Sequence, residues 1–230
     1  MHIPDGYLSP QTYVPLYLVS FVFWSTALKK MKKNLSIKHI PYLAMASAFS
    51  FLIMMFNIPI PGGTTGHAVG SGIIAILLGP WTAVIAVSVS LIIQAIVFGD
   101  GGITAIGANC FNMAVVMPFI SYWVFNIVRG RSLDAKRLSI SAFLSGYIGL
   151  TLAALITGVE FGIQPLIATG VDGRALYSPY PMSVALPAMV FEHMLFFGVI
   201  EGIVTFLLFK YFAKHEYDMI YALSKREANK

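Results

Sequence analysis

The sequence predicts an all-α, polytopic transmembrane helical bundle of about seven spans, and three observations carry that reading. Hydrophobic residues make up 57% of the chain and charged residues only 11%, against about 25% charged in a typical soluble domain. The apolar residues come in long runs: GSGIIAILLGPWTAVIAVSVSLIIQAIVFG, from Gly70 to Gly99, holds no charge at all. A run of about 20 such residues is long enough to cross a bilayer as a helix. Lastly, the basic residues are segregated. Of fifteen Lys and Arg residues, all but Arg174 fall within 29–38, 129–137 or 210–230.

Helices are expected near 10–32, 37–58, 67–79, 81–98, 103–128, 137–162 and 183–213. The first opens at Ser9-Pro10, an N-cap followed by proline at the first helical position. Its lysines (Lys29, Lys30, Lys32 and Lys33) follow its apolar stretch instead of preceding it, so it reads as a retained helix and not as a signal peptide. Gly79-Pro80 divides the third helix from the fourth, and the third is short enough to require tilt or burial among its neighbours. Seven spans put all three basic segments on one face, which the positive-inside tendency makes cytoplasmic. The N-terminus, the 59–66 loop, the 99–102 turn and the 163–182 loop then share the outer face. The net charge of +5 is thereby a sign of topology and not of a nucleic-acid partner. Cys110 is the only cysteine, which excludes an intramolecular disulfide.

The chain opens MHIPDGYLSP, and a free Met-His terminus is a chelator. Terminal amine to His2 amide nitrogen closes a five-membered ring around a metal, and amide nitrogen to His2 Nδ1 closes a six-membered one. Three nitrogens then lie nearly in one plane. Loss of the amide proton requires a metal with strong in-plane bonding. Tetragonal nitrogen coordination suits Ni(II) or Cu(II), whereas Zn(II) favours tetrahedral sites. One corner remains open for a second imidazole. His67 follows the flexible GGTTG loop on the same expected face. His39 and His215 lie on the opposite face, and His193 lies within the last span. A histidine in a frayed, solvated end is the plain alternative for His2.

The opening MHIPDGYLSP, the GGTTGHAVGSG loop and GITAIGANCFNMAVVMPF resemble the NikM/CbiM substrate-binding subunits of nickel and cobalt transporters of the energy-coupling factor class. Pro4-Asp5-Gly6 is closer to the NikM form. The resemblance covers essentially the whole chain and implies a single domain: a chelating segment at 1–9, an extra helix at 10–32, a six-helix core over 37–213 and a cytoplasmic tail at 214–230. It implies Ni2+ as transported substrate, with Co2+ as the rival, ligated by the Met1 amine, the His2 amide and imidazole, and His67. It also implies a transmembrane coupling subunit, two cytoplasmic ATPase subunits and a small accessory membrane subunit as partners, in the cell membrane of a bacterium or archaeon.

Other residues are candidates around such a site. Asn109 and Asn112 are three apart and near one helical face; Asn109 could position His67 or the N-terminal backbone, and both could equally bond between helices. Glu160, Glu192, His193 and Glu201 fall in or at the ends of spans, where ionisable groups are costly. Glu192 and His193 point about 100° apart, so only one can line a small cavity. Asp5 is expected to cap a turn after Pro4 or to pair locally. Ala44 and Ala48 form a small-xxx-small stripe that lets another helix approach closely, and the resemblance makes it a docking surface for the coupling subunit; packing within the chain is the competing role. The sequence holds no G-x-x-x-x-G-K-[ST] loop, so the chain is not its own ATPase. It also lacks HExxH, CxxC and a convincing nucleophile–base pair, so it is not expected to be an enzyme. A gradient-driven transporter or channel would need a polar path that these spans scarcely supply.

Overall fold

The computed structural model describes residues 1–34 and 40–223. The expected start of the second helix at 37, with Lys38 and His39, and residues 224–230 of the tail lie outside that range. Among the described residues, seven helical rods follow one another: α1 (Pro10–Asn34), α2 (Ile40–Met54), α3 (Ser71–Leu78), α4 (Pro80–Phe98), α5 (Ile106–Arg129), α6 (Ala135–Ile167) and α7 (Met182–His215). A two-stranded hairpin, β1 (Ile58–Pro59) and β2 (Thr65–Gly66), separates α2 from α3.

Helix positions follow the apolar runs, but crossing length is not uniform. Four helices, α4 to α7, are long and apolar enough to cross a membrane. Helix α3 has only eight residues, about 12 Å at the α-helical rise, and is buried over almost its full length. It begins at Ser71 instead of the expected 67, because the chain from β2 through Gly70 stays out of helix and Glu201 accepts from the Val69 and Gly70 N–H groups. Where about seven spans were expected, with the third short, the described residues hold seven helices of unequal reach, the short third one buried.

Helix α6 lies centrally between α5 and α7. Helix α1 packs against the first turns of α5 and along α4. Its Ser20 hydroxyl donates to the Gly107 carbonyl (2.7 Å) and Trp24 Nε1 donates to Ser88 Oγ (2.8 Å). Gly107 makes that approach possible, since a Cβ there would lie 2.6 Å from the Tyr17 Cα. Three helices contain π-helical segments: Gln94–Phe98 in α4, Cys110–Val116 in α5 and His193–Phe197 in α7. Such insertions shift the phase of side chains and recur at functional sites.

The bundle has two chemically different ends. At one, the N-terminal segment meets the hairpin, the 99–104 turn and the loop after α6: Gly102 N donates to Ile3 O (2.8 Å), and Ser178 N donates to Tyr7 O (3.0 Å). The segments expected on one face thus share one end. At the other lie the described parts of the basic segments, where Arg129 Nη2 donates to the Ala222 carbonyl (2.6 Å) and Ile220, Ala222 and Leu223 pack on Phe125, Leu138 and Phe209.

Candidate metal site

The N-terminus is not a frayed tail. Met1, His2 and Ile3 are buried, and the segment plugs into the bundle. Its backbone is gripped on both sides. Asn109 Oδ1 accepts from Ile3 N (2.9 Å) while Asn109 Nδ2 donates to Ile3 O (3.2 Å), and the Thr64 hydroxyl donates to His2 O. Gly102 has no side chain because the segment crosses directly over it: a Cβ there would lie 2.3 Å from Asp5 N. Farther along, Gln164 Oε1 accepts from Ser9 N (2.9 Å) and Gln164 Nε2 donates to Thr12 Oγ1 (3.0 Å), fixing the start of α1.

This plug brings three nitrogen groups together. The Met1 amine donates to Thr65 O and lies 3.0 Å from His67 Nε2, and the His2 and His67 rings stack with centroids 4.5 Å apart. Hydrogen bonds decide which ring nitrogens are bare. His67 Nδ1 is 3.0 Å from the Ala68 carbonyl, an acceptor only, so Nδ1 carries the proton and Nε2 presents its lone pair to the amine. Gln94 Nε2 donates to the Phe51 carbonyl, which turns Gln94 Oε1 toward His2 Nε2 at 3.0 Å. His2 Nε2 therefore holds the proton, and His2 Nδ1 is buried with no hydrogen-bond partner. The bare atom is the one that a five-plus-six chelate needs.

Burial also keeps these groups uncharged. Desolvation pushes the Met1 amine down to about 4, against the pull of Asp100. Desolvation and the neighbouring amine push His2 down to about 3 and hold His67 well below the usual imidazole range. At neutral pH all three are lone-pair donors, so a metal need displace no proton from them; only the His2 amide has one to lose. Adjacent corners of a metal with bonds of about 2.0–2.1 Å to nitrogen lie about 2.8–3.0 Å apart, and the Met1–His67 separation matches. Among the described residues no group of three His, Cys, Asp or Glu side chains forms a metal cluster, because two of the donors here belong to the terminal amine and the backbone.

The remaining sequence candidates separate. Asn109 holds the N-terminal backbone, both of its amide atoms being bonded to Ile3. Asn112 Nδ2 donates to Glu160 Oε2 (2.8 Å) and Thr157 Oγ1 (3.0 Å), the bond between helices that was its alternative reading, here joining α5 to α6. Asp5 caps not its own turn but the 103–104 turn, accepting from Ile103 N (3.1 Å) and Thr104 N (2.8 Å). The Thr104 hydroxyl is the main reason its carboxyl lies below the usual range. His193 is buried, with Nδ1 donating to Met189 O (2.7 Å) and its ring against Phe197. Glu192, the neighbour that was expected to point about 100° away from it, is half-buried. Ala44 and Ala48 are exposed on α2, whereas Ala46 and Ser50 face inward.

Sequence reasoning missed Gln94, Asp100 and the anchoring role of Glu201. Gln94 is the one side-chain amide in the 70–99 run, and Asp100 the one carboxylate between Asp5 and Asp134; those were the available signals.

A helical bundle with four helices of membrane-crossing length, and neutral nitrogen donors converging at one end, defines a metal-handling membrane component. The chain belongs to the CbiM family, described as the cobalt uptake substrate-specific transmembrane region, which matches residues 2–219. It is 54% identical over 206 residues to the fused nickel transport protein NikMN of Rhodobacter capsulatus, covering 89% of this chain but 59% of that longer protein. The cobalt transport protein CbiM of Lachnoclostridium phytofermentans is 33% identical over 211 residues, 90% of this chain and 80% of its own. A crystal structure of a truncated transition metal transporter shares the fold with a TM-score of 0.90 at 45% identity, covering 94% of this chain and 99% of that one.

Replacing Gln94 by leucine removes the acceptor that fixes the His2 tautomer and ring. Loss of such an outer partner lowers metal affinity by about 10–100-fold, and a direct metal titration of Gln94→Leu is expected to read a loss in that range.

Proposed function

We propose that the chain is the substrate-binding S component of an energy-coupling factor transporter for nickel uptake. It takes Ni(II) in a square plane of four nitrogens: the Met1 amine, the His2 amide, His2 Nδ1 and His67 Nε2. The observation that carries this reading is the 3.0 Å approach of the buried Met1 amine to His67 Nε2 beside the unpartnered His2 Nδ1. An ionised amide in the donor set favours metals with strong tetragonal bonding, Ni(II) ahead of Zn(II). Co(II) is the nearest rival substrate.

The end bearing the site faces outward and the basic end faces the cytoplasm, following the positive-inside tendency, in the cell membrane of a bacterium or archaeon. Release inward from so tight a chelate requires work from outside the chain. A transmembrane coupling subunit and two cytoplasmic ATPase subunits supply it, with a small accessory membrane subunit completing the complex. Ala44 and Ala48 are the docking surface for the coupling subunit. They border an apolar groove of about 520 Å³ between α2 and α4, also lined by Leu43, Phe51, Val89 and Ile93, and small residues there admit close helix approach.

The test is the terminal amine itself. One extra residue before Met1 turns the amine into an amide and is expected to abolish tight nickel binding in calorimetry. The unextended protein should give a yellow, diamagnetic complex, since four in-plane nitrogens favour low-spin d⁸. An extended protein that binds nickel as tightly, or a paramagnetic six-coordinate spectrum, sinks the reading.

A further inference from the structure

Asp100 has no part in the four-nitrogen chelate, yet it is the carboxylate set directly against it. Its Oδ1 lies 3.5 Å from His2 Nδ1. Because Gln94 holds the His2 proton at Nε2, no hydrogen stands between these two atoms. An acceptor lone pair and a carboxylate oxygen face each other across a gap that neither can bridge by itself. Such an arrangement is unfavourable unless a cation occupies it.

The carboxylate is also held in place. Asn57 Nδ2 donates to Asp100 Oδ2 (3.2 Å), and the Asp100 N–H donates to the Gln94 carbonyl (3.0 Å) at the end of α4. Oδ1 is thereby left free to face the site. Exposure then changes in one direction across the gap: the Asp100 side chain is 22% exposed and that of His2 only 3%. Asp100 touches both solvent and the buried nitrogens. Asp5, the carboxylate within the N-terminal segment itself, is committed to the 103–104 turn.

Resting on the nickel reading above, we propose that Asp100 is the capture ligand of the site: it takes the hydrated dication from solution, holds it against His2 Nδ1, and hands it to the chelate. A dication must shed most of its water before it can enter a cluster of neutral nitrogens. A carboxylate at the rim offsets part of that loss with an oxygen ligand and a full negative charge. Once the metal has two protein ligands, the Met1 amine is adjacent, and the amide nitrogen joins as its proton leaves to water. Asp100 then returns to its pairing with Asn57 while the four nitrogens keep the metal. Charge placed at the mouth of a low-dielectric cleft acts mainly on association, raising on-rates by about 10–1,000-fold.

Stopped-flow mixing of nickel with the purified full chain, followed by excess chelator to read dissociation, separates this role from others. Asp100→Asn is expected to slow association by about tenfold or more, to leave dissociation within about threefold, and to keep the yellow spectrum. Asp100→Glu should retain the charge and most of the rate. Asn57→Ala leaves the carboxylate intact but unaimed, and should slow association by less. It decides the matter should the Asp100 variants fail to fold: an unchanged rate in Asn57→Ala then overturns the proposal. Equally, Asp100→Asn with wild-type association, or with its defect in dissociation or in the spectrum, overturns it. A wild-type protein that forms no nickel complex overturns the nickel reading and this role together. A normal wild-type complex formed just as fast by Asp100→Asn overturns the capture role alone.

Discussion

His67→Ala is expected to lower nickel affinity by about a thousandfold, or ~4 kcal/mol, and to change the colour of whatever complex remains. The effect should exceed the Gln94 effect because a donor atom is lost and not merely its orienting partner. The Met1 amine, His2 amide and His2 Nδ1 would still offer three nitrogens, so binding is weakened and not erased. Water would take the vacant corner, and a weaker in-plane field shifts the absorption to longer wavelength. Restoring an imidazole from solution should recover part of the yellow band, since the space beside the amine is left open. If His67→Ala binds nickel with wild-type affinity and spectrum, His67 is not a ligand and the square plane is wrong.

Glu201→Leu is expected to damage both stability and metal binding, from a residue that touches no nickel. Its carboxylate accepts from Val69 N (2.8 Å) and Gly70 N (3.0 and 3.1 Å), where α3 has Gly70 at its N-cap and no side-chain cap of its own. Leucine leaves those buried N–H groups unpaired, at about 1–3 kcal/mol each, so a loss of roughly 2–6 kcal/mol is expected. His67 is only two residues before Val69, so the imbalance falls on the segment that presents Nε2 to the amine. The melting temperature of the apoprotein in detergent and a nickel titration should both fall. Glu201→Gln keeps one acceptor and should lie between. Normal stability and normal affinity in Glu201→Leu rule out the anchoring role.

The sequence was most informative where chemistry is local. The apolar runs placed α4 to α7 within a few residues, and Gly79-Pro80 marked the break before α4. The chelating geometry of Met1 and His2 is intrinsic to an amine, an amide and the next imidazole, so it could be written from the first two letters. The structure adds where those atoms sit. Gln94 meets His2 across 92 positions, and Glu201 meets Val69 across 132; no periodicity within one helix encodes such pairs. Gln94 also begins a π-helical segment, whose phase shift a 3.6-residue pattern cannot anticipate. The short hairpin over 58–66 was missed because four paired residues rich in Pro and Gly look like loop. Asn112 illustrates the opposite error. Its spacing from Asn109 suggested a shared face, but the π-helical turn between them sends one amide to Ile3 and the other to Glu160.

The burial of Met1 beneath residues far along the sequence ties the seating of that segment to the assembly of the bundle. Residues 1 and 2 come before every described helix, yet the pocket that seats them is closed by Gln94, Asn109 and, through the His67 segment, Glu201 on α7. Those contacts come from α4, α5 and α7, so they exist only once these helices have packed together. A seated N-terminal segment is thus a local readout of long-range packing: a change that loosens α4, α5 or α7 is expected to expose Met1 and His2, which are buried in the intact bundle.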